Sequence, residues 1–269
     1  MHICSQNFKA TYYGNFYFRQ MKYLLFLVFC FFCANAFSQT SVLDLQRSNF
    51  KVANALKTKE DTLKKQFEKA NLQWPAKQVY IRSFKYDSQL EVWVRNTNKE
   101  PYKLFKTYKV CALSGALGPK RIEGDYQVPE GFYCVSEFRP NSTYHLALGI
   151  NYPNASDLLL SDSAKPGNEI YIHGSCITIG CIPIQNDPIE ELYILASNAK
   201  NSGEDFIPVH IFPVKFNIPK SVEYLAKVSK DDKDYQLLIK QLKEVYDYFD
   251  VHKKLPLISV NKKGEYIVM

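Results

Sequence analysis

This sequence lacks several features, and each absence closes a class of function. There is no internal repeat and no low-complexity linker, which excludes stacked arrays and flexible tethers. The apolar block Tyr23–Cys33 is about half the roughly 20 residues that a membrane-spanning helix needs. Positive charge is in modest excess. The formal net charge is +7, and Lys9, Arg19 and Lys22 fall in residues 1–38, a stretch with no acid, so the remainder stands near +4. A balance so mild and scattered argues against nucleic acid and suits an anionic surface or a carboxylate-bearing substrate. No second CxxC-like pair accompanies the cysteines near residue 180, which weakens a zinc-finger reading.

What is present begins with an export signal. Met21-Lys22, the apolar block and the exit Ala34-Asn35-Ala36-Phe37-Ser38-Gln39 have the charge, core and small-residue end of a signal peptide over residues 21–38. Cleavage after Ala36 or Ser38 fits equally well. Residues 1–20 show no such pattern, and Met21 is read as the start. Cys30 and Cys33 lack the small residues that precede a lipidated cysteine, so soluble export to the periplasm or beyond is expected, with the membrane met only through the cleaved signal. About 231 residues follow, enough for one large domain.

Export places Cys111, Cys134, Cys176 and Cys181 in an oxidising compartment, where three full pairings are open. The stretch Ile172-His173-Gly174-Ser175-Cys176-Ile177-Thr178-Ile179-Gly180-Cys181 weighs against pairing all four. It sets an imidazole and a thiol eight residues apart, with a turn-forming Thr-x-Gly before the thiol. A thiol attacks as thiolate and needs a neighbouring base. A histidine ending a strand and a cysteine on the following loop are expected to meet at hydrogen-bond distance. His173 is therefore the candidate base and Cys181 the candidate nucleophile, which leaves at most one disulfide among the other three cysteines. The alternatives are a structural Cys181 or a Cys176–Cys181 bridge, and a zinc site of His173, Cys176 and Cys181 completed by His145 or His210.

The remainder reads as one α+β domain. Apolar residues recur at helical spacing from Ser41 to about Leu72, stopped by Trp74-Pro75, giving an N-terminal helical segment over 39–76. Alternation then predicts a hairpin over Gln78–Asn96 about Asp87-Ser88, and strands over Tyr102–Ser114, Gly131–Phe138, Tyr144–Ile150 and Glu169–His173. A helix follows the cysteine over Asp187–Ala199, opened by Asp187-Pro188, then a strand over Pro208–Val214. These elements make a mainly β catalytic domain over 77–216. Residues 217–269 hold a charged helix, Ser221–Phe249, broken near Asp231-Asp232, and a last hairpin about Lys262-Lys263-Gly264.

Three ordered blocks carry a family resemblance. They are Gly118-Pro119-Lys120 with Glu123-Gly124-Asp125-Tyr126-Gln127-Val128-Pro129-Glu130-Gly131, then Tyr144–Asn154, then the His-to-Cys stretch. Together they resemble the L,D-transpeptidase catalytic domain, the YkuD family, and most closely its YafK-like branch. The resemblance implies a β sandwich or barrel-like fold with flanking N- and C-terminal helices, and action on peptidoglycan stem peptides at the L-centre carbonyl of the third-position diamino acid. It implies Cys181 as nucleophile, His173 as base, the Gly174 carbonyl orienting the ring, amides around Gly180 and Cys181 as oxyanion hole, and Thr178 at the family's small-hydroxyl position. No metal or organic cofactor is implied.

The departures shape the reaction expected. The His–Cys insert is short, Ile179 stands where a second histidine is usual, and Ile182-Pro183 replaces the family's basic pair. The YafK-like branch shares the short insert and is associated with hydrolysis, including release of a wall-attached protein, so hydrolysis is favoured over transfer to an amine. Lys120, Arg121 or Arg139 is expected to replace the missing carboxylate clamp. His145 is read as a core or cleft-lining histidine, His210 as structural and Asp125 as a turn residue bordering the site. A non-catalytic wall-binding module is the alternative from another functional class.

Overall fold

Asn49 decides the first boundary, because its side chain accepts from the Lys51 amide and caps a new helix. The computed structural model describes residues 41–269, so the segments read as 1–20 and as a signal peptide (21–38) lie outside the described residues. The single helical stretch expected from Ser41 is two helices, α1 (Val42–Arg47) and α2 (Phe50–Lys69). Val52, Leu56, Leu63 and Phe67 form the buried stripe of α2.

Strand β1 (Gln78–Phe84) turns at Asp87-Ser88 into β2 (Gln89–Arg95), followed by β3 (Lys103–Lys109). Next come β4 (Gly131–Ser142), β5 (His145–Ile150), a short helix α3 (Ala155–Leu160), β6 (Tyr171–His173) and β7 (Ile182–Pro183). Helix α4 (Asn186–Asn201), β8 (Pro208–Phe212), α5 (Pro219–Val228), α6 (Lys233–His252) and the hairpin β9 (Ile258–Val260) with β10 (Tyr266–Val268) complete the chain. The α5–α6 break sits at Asp232, which caps α6 through the Tyr235 amide.

The fold is α+β, built on an eight-stranded mixed sheet of order β3-β2-β1-β8-β4-β5-β6-β7. Pairs β1/β8 and β6/β7 are parallel and the others antiparallel. Because side chains alternate across a strand, the register assigns each residue a face. One face carries Val79, Ile81, Leu146, Leu148, Ile172, Ile182, Val209 and Ile211, buried with Leu192 and Ala196 of α4 and the stripe of α2. On the other face, Phe84 and Phe212 pack under Leu225 of α5 and Leu238, Leu242 and Tyr246 of α6. Helix α6 is also pinned by charge: Arg82 of β1 donates to Glu91 of β2 (2.7 Å) and to Asp250 of α6 (3.0 Å).

That second face continues onto β4–β7, where the helical cover gives way to small and polar residues. Residues Val42–Met269 form one compact unit. Among the described residues no helix is long and apolar enough to cross a membrane.

Candidate active site

Two cross-strand rows build the site. Glu137 of β4 faces Gly149 of β5, which faces Tyr171 of β6; one step along, Arg139 faces Ala147, which faces His173. Parallel pairing of Ile172 with Ile182 and of His173 with Pro183 sets Cys181, the residue before β7, beside Tyr171. Glu137, Arg139, Tyr171, His173 and Cys181 therefore project from the same face, over a floor of Gly149 and Ala147. The small floor is needed. A Cβ at Gly149 would lie 3.0 Å from the Tyr171 ring and 3.1 Å from Glu137, both tighter than ordinary contact.

His173 is 1 % exposed and makes one hydrogen bond, Nδ1 to the Gly174 carbonyl at 2.5 Å. That bond fixes the ring and places the proton on Nδ1, leaving Nε2 as the basic nitrogen. Nε2 is buried with no hydrogen-bond partner. Tyr144 stacks on the ring at 4.7 Å. Burial holds the His173 pKa below its ordinary 6.5, against the opposing Gly174 bond, so the imidazole is neutral at neutral pH.

Cys181 is half-buried and reduced. Its thiol donates to the Glu169 carbonyl at 3.7 Å. Burial pushes the thiol above its ordinary 9.0, while the Tyr171 amide facing the sulfur works the other way and the Glu169 carboxylate reinforces the rise. The direct His173–Cys181 hydrogen bond expected from the sequence is therefore not made. The thiol is turned to Glu169 and the Nε2 lone pair is left open.

The loop between them is stapled at several points. Cys176 is bridged to Cys111, with Cα atoms 5.5 Å apart, so Cys176 is unavailable as a thiolate ligand. Among the described residues no cluster of three His, Cys, Asp or Glu could hold a metal ion. The Thr178 hydroxyl donates to the Cys181 carbonyl (2.8 Å) and accepts from the Gly180 amide (3.1 Å). The Gly180 amide is thus already spent within the loop, which corrects its expected place in an oxyanion hole. Glycine is nonetheless required there, because φ is +139° and a Cβ would sit 3.1 Å from the Gln127 carbonyl. That contact brings the Glu123–Gly131 block against the cysteine loop. His145, Glu169, Ser175 and Gln185 also adopt positive φ, a concentration of left-handed backbone around one site.

The remaining expected residues divide. Lys120 is buried in its own turn, its ammonium on Asp125 (2.5 Å) and the Ile122 carbonyl (2.9 Å). Arg121 is paired with the buried Asp157 at 3.2 Å. Neither cation is left for a substrate carboxylate, whereas Arg139 stands on the site face, its guanidinium over the Tyr171 ring at 4.5 Å. Asp125 organises the turn by accepting from the amides of Arg121, Ile122 and Gln127. His145 borders Gly174, but its ring is tied to Glu190 at 2.7 Å. His210 bonds Tyr80 deep under α6. Tyr144, Tyr171, Glu137 and Glu169 escaped the sequence reading. The one signal for Tyr171 was its place two residues before His173, which assigns both to one face.

No protein-family model matches this chain. Over 192 residues it is 35 % identical to YafK of Escherichia coli strain K12, named as an L,D-transpeptidase, covering 71 % of this chain and 73 % of that protein. The same figures hold for YafK of Escherichia coli O157:H7. Among solved structures, the helical cell shape determining protein Pgp2 of Campylobacter jejuni (K307A mutant) aligns at 19 % identity and a TM-score of 0.40, over 70 % of this chain and 73 % of that one. Bd1075 of Bdellovibrio bacteriovorus aligns at 20 % identity and a TM-score of 0.38, over 70 % and 78 %. Structural likeness at this level says nothing of chemistry.

Proposed function

The chain belongs to the L,D-transpeptidase family, in its YafK-like branch, and from that premise we propose that it is an exported cysteine hydrolase of peptidoglycan stem peptides. The observation that carries the proposal is the buried Nε2 of His173, without a partner, on the sheet face that also presents Cys181. An unpaired buried acceptor is unfavourable by about 1–3 kcal/mol, and a thiol brought to it would remove that penalty.

In the proposed reaction the Cys181 side chain turns from the Glu169 carbonyl to Nε2. His173 takes the thiol proton as sulfur bonds to the L-centre carbonyl carbon of the third stem residue. The tetrahedral oxygen is held by main-chain amides about Cys181, with the loop shape kept by Thr178. The C–N bond breaks, His173 returns its proton to the leaving amine, and a thioester remains on Cys181. Water, deprotonated by His173, then attacks the thioester; the C–S bond breaks and the sulfur recovers a proton. The Gly174 carbonyl keeps the ring oriented as a triad carboxylate would. The site of action is the periplasm, and the leaving amine belongs to a terminal D-residue, a crosslink or a wall-attached protein.

The test is incubation of the reduced protein, beside Cys181→Ala, with defined muropeptides and whole sacculi, with products read by mass spectrometry. Loss of a D-residue, a cut crosslink or a released protein, absent in Cys181→Ala, supports the hydrolase. Mass gain from an added amine reassigns it as a transferase. No product, with both proteins pelleting on sacculi, makes it a binding module.

A further inference from the structure

We infer that Tyr144 is a positioning residue for His173, closing the ring against water, and that Lys51 of α2 holds it there. The N-terminal helical segment thereby becomes part of the catalytic apparatus. The inference rests on the reading of His173 as the base and names what keeps that base dry.

The sheet alone does not bury His173. The ring projects from the face where the helical cover gives way, and its cross-strand neighbour Ala147 is too small to cover an imidazole. Yet the residue is 1 % exposed. Among the described residues Tyr144 supplies the one aromatic ring against it, at 4.7 Å with 27° between the planes. Tyr144 is itself 39 % exposed, so its ring stands between the imidazole and solvent. The contact is made by the ring face, which phenylalanine would share.

A turn so exposed needs an anchor. Thr143 and Tyr144 form the turn between Ser142 and His145, which pair across it. Lys51 reaches both ends at once, its ammonium donating to the carbonyls of Ser142 (3.1 Å) and His145 (3.0 Å). Both partners are main-chain carbonyls, so these bonds fix where the turn sits. The Tyr144 amide donates to Ser142 Oγ at 3.0 Å, and Asn49, the cap of α2, donates to Asn141 at 2.7 Å. On its inner side the turn lies on Gly174, where a Cβ would sit 2.7 Å from the Tyr144 carbonyl. The Gly174 carbonyl orients the imidazole, so the same backbone sets the direction of the ring and seats its cover.

Cover decides the protonation state. The titratable and charged groups on the elements about the ring are Lys51 on α2, Arg139 on β4, His145 on β5 with Glu190 on α4, Tyr171 on β6 and Cys181 before β7. None of them hydrogen-bonds the imidazole, whose single partner is the Gly174 carbonyl. Burial therefore disfavours the imidazolium and holds the pKa below 6.5. Opening the cover admits water, favours the protonated ring and raises that pKa, which removes base at neutral pH.

The experiment follows the His173 imidazole by NMR titration, its signal assigned by loss in His173→Gln, in the wild type, Tyr144→Ala, Tyr144→Phe and Lys51→Met. Turnover of a stem tetrapeptide is measured beside it. Tyr144→Ala should move the His173 pKa up to its ordinary 6.5, Lys51→Met should move it the same way by less, and Tyr144→Phe should leave it in place. The acid limb of kcat/KM should follow the titration, with kcat at pH 7 in Tyr144→Ala down by about tenfold and KM within about twofold. An unmoved His173 in folded Tyr144→Ala, or an equal shift in Tyr144→Phe, overturns the shield. A shift in Tyr144→Ala with none in Lys51→Met overturns the anchor. The expected titrations with no turnover by any of the proteins, wild type included, keep the shield and sink the hydrolase.

Discussion

Two histidines of this chain are buried to nearly the same degree, on the same face of the same sheet, and differ in what their ring nitrogens meet. His210 of β8 hydrogen-bonds the Tyr80 hydroxyl at 2.8 Å and sits edge-on to Phe132 and Tyr80. Burial, with Arg82 nearby, pushes its pKa down to about 3. His173 of β6 has one nitrogen on the Gly174 carbonyl, the other open, and a half-exposed tyrosine as its lid. Burial makes both rings neutral; only the arrangement around His173 leaves a lone pair for chemistry.

The difference extends to the two halves of the sheet. Around His210 the polar groups are paired: Glu91 accepts from Arg82, Trp93 and Lys215. Burial opposes ionisation of Glu91, yet these partners outweigh it and hold its pKa below the usual carboxylate value. Around His173, by contrast, lie the positive-φ residues His145, Glu169, Ser175 and Gln185, an unpartnered nitrogen, and Ile177 and Ile179 exposed to solvent. One half pairs its buried charges across strands and helix and holds the fold. The other concentrates left-handed backbone and an unpartnered imidazole nitrogen, the features on which the proposed chemistry rests.

Breaking each half should give opposite signatures. Glu91→Gln leaves the buried Arg82 and Lys215 with too little negative charge. Denaturant unfolding should show a loss of about 3 kcal/mol, with turnover per folded molecule retained. Thr178→Val removes the loop staple and should lower stability by only about 1 kcal/mol. Displacing Cys181 should nevertheless reduce turnover of a defined muropeptide by about 100-fold. Smallest in size but most specific is the pH profile. His173 must be neutral to accept a proton, so activity rises through a pKa held below 6.5 and falls only where Cys181 ionises, above 9.0. A broad plateau in kcat/KM between those limits is expected, and a fall beginning near pH 7 would show a thiolate preformed in the resting enzyme.

Much of the fold was legible because its signals are local. The turn at Asp87-Ser88, Pro188 in the first turn of α4 and the cap at Asp232 each fix an element without help from distant residues. That His173 and Cys181 lie on one sheet face was legible for the same reason, since they are only eight residues apart. What escaped depends on register. The Glu137–Gly149–Tyr171 row exists because β4 shifts register between Val135 and Glu137 and runs on to Ser142, beyond the expected end at Phe138. The fate of Lys120 and Arg121 turned on Asp125 and Asp157, the latter on a short helix that was not expected, although Asn154-x-x-Asp157 is its capping box. Cys111 as the partner of Cys176 was one of several pairings, separated only by the packing of a loop 65 residues away.

The two histidines supply the decisive measurement: turnover of a stem tetrapeptide, per folded molecule, by His173→Gln and His210→Gln side by side. His173→Gln should lose on the order of 1,000-fold while remaining folded, and His210→Gln should lose stability and keep its turnover. Comparable turnover in His173→Gln and the wild type would mean that the open nitrogen is a packing defect and that the thiol has no base.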